Sequence, residues 1–169
     1  MTPDPASDSS APAPRPDTLA PYKSKTLAAW LALLVGTMGL HRLYLYGLKD
    51  VWGWLHPLPS ALGLLGVMRL RSLGQDDHLA WALIPLLGVM ISVTMLTAIV
   101  YALTPDERWD ARHNPHHPGM KTAWGPVLAA IMALLLGGGI FMGTIAFGGQ
   151  KFFEWQMESE QAQNVRRSP

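Results

Sequence analysis

The sequence predicts an all-α, multi-pass integral membrane protein with about four transmembrane helices. Only 15% of its 169 residues are charged, against roughly 25% in an ordinary soluble domain. The charges are also bunched, leaving four runs that contain none: 26–40, 51–68, 79–104 and 122–150. A chain this small has too little polar surface to wrap four such runs in water. Hydrocarbon surroundings remove the need.

Residues 1–22 carry six prolines among Ser, Ala and Asp, a composition expected to stay disordered. They lack the basic start and apolar core of a signal peptide, so the first apolar segment is expected to remain in the mature protein. That segment, Thr26–Leu40, would rise only about 22 Å as a helix, short of the ~30 Å hydrocarbon core. It is therefore expected to continue through His41, Arg42 and Leu43 to Tyr46, with Gly47–Asp50 as a tight turn. The second segment, Val51–Met68, has Trp52 and Trp54 at its start and Arg69 and Arg71 beyond its end, which suits interfacial anchoring. His56, Pro57 and Pro59 predict a kink within it, and a re-entrant course is the alternative. The third, Leu79–Leu103, has Ser92, Thr94 and Thr97 as polar interruptions. The fourth, Trp124–Phe147, contains Gly137–Gly139 and Gly143.

The expected organisation is thus a tail (1–22), a two-helix hairpin (23–71), a second helix pair (72–150) with a polar loop at 104–122, and a polar C-terminal tail (151–169). With four spans, eight Lys/Arg fall on the side of the termini and five on the other. That balance places both termini in the cytoplasm, in the plasma (inner) membrane.

The most specific stretch begins with Lys23-Ser24-Lys25 and ends in GTMGLHRLYLYG. It resembles the two-transmembrane-helix (TM-two) domain family, whose bacterial members are the NINE-type proteins. Lys23, Lys25, Gly36, Gly39, His41, Arg42, Tyr44 and Leu45 stand where the family pattern has them. Leu43 replaces the usual Phe, and Tyr46 is inserted before Gly47. His41 stands where animal members have Asp, so the receptor-like motif of those members does not carry over. The resemblance spans about Lys23 to Arg71 and implies a membrane hairpin engaged in protein–protein interaction.

The residues themselves fit a hairpin. A turn near Tyr46 sets Gly39 opposite Gly53 and Gly36 opposite His56, and small residues let helices approach closely in lipid. Arg42 near the end of an apolar helix needs a partner; Asp50 across the turn is one, and a lipid headgroup or a protein partner is the alternative. Gly139 and Gly143 form a GxxxG pair, read either as a homodimer face or as packing within the chain. His56 is read as capping the kink, with proton relay as the sharper alternative. Asp110, His113, His116 and His117 supply metal-ligand types, but Pro115 and Pro118 break the helix that would align them. A solvated loop starting with a helix capped by Thr104 is the expectation there, with Trp109 at the membrane surface.

No metal, cofactor or catalytic residues are expected, since no paired carboxylates, triad, HExxH or phosphate loop appears. There is no cysteine, and the net charge of +1 without a basic stripe argues against nucleic acid. The expected partners are the lipid bilayer and either another membrane protein or a second copy of the chain. The expected role is a membrane interaction or scaffold component, with a subunit of a small oligomeric transporter or channel as the alternative.

Overall fold

The computed structural model describes residues 21–117 and 121–167, and all its regular elements are helical. The tail expected to be disordered falls almost wholly outside the described residues. Helix α1 (Lys25–Val35) starts at Ser24, whose hydroxyl accepts the Leu27 N–H at 3.4 Å. Its 11 residues rise about 16 Å. A 3-10 turn, Gly36–Met38, then leads to Gly39 at φ 73°. This left-handed conformation is open to glycine at little cost, and there the chain reverses.

Helix α2 (Leu40–Tyr46) consequently runs back along α1 instead of extending it. Its Leu45 packs on Ala28, and the Leu45 carbonyl accepts from Lys23 Nζ. The expectation of one continuous helix to Tyr46 therefore fails. Charge patterning could not distinguish a helix that continues from one that turns at a glycine.

Helix α3 (Val51–Leu55) begins at Asp50, whose carboxylate accepts the Gly53 N–H at 3.1 Å. His56 separates it from α4 (Pro57–Leu73). Pro57 and Pro59 have no N–H, so the carbonyls of Gly53 and Leu55 lose their helical donors. The freed Gly53 carbonyl faces Gly39. Helices α4 and α5 (His78–Leu103) are antiparallel, with Gly63 set against Leu87 and Gly66 against Leu83. Short α6 (Asp106–His113) follows, then the 43-residue α7 (Gly125–Arg167).

α7 runs antiparallel to α5 along its whole length. Gly137 lies against Met95, Thr144 against Gly88, Lys151 over the Trp81 ring at 4.6 Å, and Glu158 by His78 at 3.0 Å. Ala29 and Ala32 of α1, Ala98 of α5, and Ala129 and Ala133 of α7 are wholly buried between the three helices. Methyl side chains let the three backbones draw together. Segments 23–71 and 72–150 thereby share one core.

Two ends result. The first holds Lys25, Thr104 and Thr122; the second holds the Arg69–Asp77 pair at 2.8 Å and Lys151. Two helices, α5 and α7, are long and apolar enough to cross a membrane, where four were expected. The first segment is shortened by the reversal at Gly39, and the second is interrupted at His56. The described chain begins at the first end of the bundle and finishes beyond the second.

Candidate interaction site at the first end

Four elements meet at the first end: the segment leading into α1, the end of α2, α6, and the start of α7. The segment Lys23–Lys25 is tied down residue by residue. The Lys23 N–H donates to Asn114 Oδ1 (2.7 Å), and its carbonyl accepts from Trp109 Nε1 (2.9 Å) and Asn114 Nδ2 (3.1 Å). The Ser24 N–H donates to the Tyr44 hydroxyl at 2.7 Å. Lys25 Nζ donates to the Thr104 carbonyl at 3.0 Å and pairs with Asp106. Trp109 is 3% exposed and stacks with Tyr101 and His113. The expected place of Trp109 at a membrane surface is thus corrected: its indole N–H has a carbonyl partner inside the fold.

Asp106 is the hub. Burial alone would raise its pKa, but hydrogen bonds from Lys25 and from the hydroxyl and N–H of Thr122 outweigh that. Its pKa falls to about 2. The cap of α6 differs from expectation. Pro105 holds the N-cap position, while the Thr104 hydroxyl donates back to the Val100 carbonyl at 2.6 Å.

Beside this knot lies the turn 47–50. Arg42 holds Asp50 through Nε at 2.8 Å and Nη2 at 3.3 Å, the pair that the spacing suggested. The Arg42 guanidinium also lies 5.1 Å from the centre of the Tyr46 ring. Arg112 Nη2 reaches the Tyr46 hydroxyl at 3.4 Å, and His113 packs on the same ring. Burial, with Arg112 and Lys23 nearby, lowers the pKa of His113.

Deeper in the bundle, His41 is 1% exposed, and its Nδ1 has no hydrogen-bond partner. Its ring centre lies 5.4 Å from that of His56 and 6.0 Å from that of Tyr101. His56 directs Nδ1 to the Trp52 carbonyl at 2.6 Å. Both imidazoles thus sit where the two broken helices cross.

The remaining expected residues scatter. Gly36 packs on Thr94 rather than His56, whereas Gly39 does face Gly53. A methyl group added at Gly47, Gly139 or Gly143 would meet no neighbouring atom within 4 Å. Asp110 is buried and accepts from Asn114, His113 lies on Trp109, and His117 stands edge-on to Tyr22. Among the described residues no three His, Cys, Asp or Glu side chains converge to hold a metal. Asn114, Thr122 and Tyr101 were not singled out from the sequence, and Asp106 was read there only as a helix start and a metal-ligand type. The pairs Lys23–Asn114, Lys25–Asp106 and Asp106–Thr122 join residues 91, 81 and 16 apart, and no local pattern marks such pairs. No family model, curated protein or solved structure matches the chain.

Proposed function

We propose that this chain is a non-enzymatic membrane interaction component that presents its folded-back hairpin, α1–α2, to a partner. The observation that carries this is the apolar exterior of the two long helices. Only 17% of the most apolar window of α5, and of α7, is buried. Leu96, Leu134, Leu135 and Met142 are each more than 60% exposed. A core helix of a soluble protein would be covered, and water tolerates exposed apolar patches of only a few hundred Å².

In this reading α3 and α4 together cross once, because Val51–Leu73 is about 34 Å long as a near-continuous helix. α5 and α7 cross again, and α1–α2 enters and leaves on one side. The first end carries seven described Lys/Arg against five at the second, a balance that supports a cytoplasmic first end in a plasma (inner) membrane. The C-terminal end of α7 is then outside. An apolar groove of about 340 Å³ between α5 and α7, bordered by Leu96, Gly138 and Phe141, suits a partner helix. The resemblance of residues 23–71 to the TM-two hairpin points the same way.

Reporter fusions near residue 21 and after residue 167 test the arrangement. They should report opposite sides, and reports from the same side would overturn it. Crosslinking from Tyr46 in native membranes should then capture a discrete partner.

A second reading, a subunit of an oligomeric transporter, is favoured by His41 alone. A buried imidazole with an unpaired nitrogen at depth in an apolar bundle is a feature of ion and proton paths. Saturable flux in proteoliposomes that disappears with His41→Ala would establish it over the first reading.

A further inference from the structure

We propose that Arg42, Tyr46 and Arg112 form a binding site for the headgroup of an anionic phospholipid at the first end. The inference rests on the membrane reading above.

Two guanidinium groups converge on one tyrosine. Arg42 lies 5.1 Å from the Tyr46 ring centre, and Arg112 is 3.4 Å from its hydroxyl. Asp50 engages Nε and Nη2 of Arg42, which fixes the plane of that guanidinium and leaves Nη1 uncommitted. Among the described residues Arg112 has no carboxylate partner. Asp50 offsets one of the two positive charges, so the cluster keeps a net positive charge. A phosphate is the anion that guanidinium groups bind best, through paired N–H donors.

The surroundings select a lipid over a free phosphate. Leu48, Val51, Trp52 and Trp54 are each more than 60% exposed around the same turn. A soluble anion has no use for that apolar rim, whereas acyl chains below a headgroup would cover it. Charge is also biased over the whole end. Seven Lys/Arg stand against four Asp/Glu there, while the second end is balanced at five against five. An anionic leaflet would therefore attract the first end before the site engages.

The test is native mass spectrometry of the full chain in detergent, titrated with phosphatidylglycerol and with phosphatidylcholine of the same acyl chains. Preferential, saturable binding of one phosphatidylglycerol is expected. Arg112→Gln should weaken it about five-fold, the effect of a single cation near an anionic headgroup, and Arg112→Lys should weaken it less. Lys121→Gln, which removes an exposed cation from the same end outside the cluster, should leave it unchanged. Equal losses in Arg112→Gln and Lys121→Gln would mean diffuse attraction and overturn the site. So would equal affinity for the two lipids, or displacement by inorganic phosphate at comparable concentration. Recovery of the chain in a soluble, detergent-free fraction would instead defeat the membrane reading itself. A membrane-embedded chain without lipid preference defeats only this proposal.

Discussion

Replacing Gly39 with alanine adds one methyl group where the backbone has φ 73° and where the Gly53 carbonyl oxygen stands well inside van der Waals contact of the new carbon. Two costs follow. The left-handed conformation disfavours any L side chain by about 1–2 kcal/mol. The contact must also open against backbone, not against a flexible side-chain tip, and forced packing of this kind adds about 1–3 kcal/mol. A total of roughly 2–5 kcal/mol is expected, enough to undo the α1–α2 reversal in a protein of ordinary stability. Two further variants separate the terms. Gly47→Ala has φ 84° and ψ 175° in open space, a backbone region almost confined to glycine, so it should show a conformational cost of about 1–3 kcal/mol with no contact added. Gly143→Ala lies in open space inside α7 and should be neutral or stabilising by up to about 1 kcal/mol. Thermal unfolding in one detergent would rank the three. If Gly39→Ala costs no more than the ~1–2 kcal/mol of the left-handed conformation, the close approach to Gly53 does not constrain the fold and the argument is wrong.

Other consequences are independent of that turn. The pKa of Asp106 is lowered to about 2 in the folded state, so its stabilising effect is present above the ordinary carboxylate pKa of about 3.9 and is lost as pH falls toward 2. Asp106→Asn should remove most of that acid dependence, at a cost of under about 2 kcal/mol near pH 7 given partial solvent screening; an unaltered acid-unfolding profile would refute it. Trp109→Ala should destabilise by about 3–5 kcal/mol through its cavity. Trp109→Phe should cost about 1 kcal/mol, chiefly through the lost bond to the Lys23 carbonyl, so a neutral Trp109→Phe would show that this bond contributes nothing. Arg42→Ala and Asp50→Ala should be non-additive when combined, because they share one pair. Asp50→Ala should be the more harmful, since that carboxylate also caps α3; strict additivity would mean that the pair is inconsequential.

Helices α5 and α7 were legible because their evidence is local: long charge-free runs whose apolar residues leave the backbone only itself to bond with. The interruption at His56 was legible for a similar reason, because prolines remove donors wherever they stand. The Arg42–Asp50 pair followed from a spacing short enough to reason across. By contrast, the direction of the chain after Met38 depended on whether Gly39 would turn left-handed. Glycine permits that conformation without demanding it, and the close approach of the Gly53 carbonyl, a contact seen only in the folded chain, leaves no room there for a side chain. The knot at the first end was invisible for another reason. Lys23 meets Asn114, and Lys25 meets Asp106, across some eighty to ninety residues, and nothing near either lysine names its partner. The sequence by itself determined which segments are apolar and charge-free and that one of them breaks at His56. Only the tertiary structure decided how many segments cross the bundle and which charges pair, because both depend on contacts that exist only once distant helices have packed.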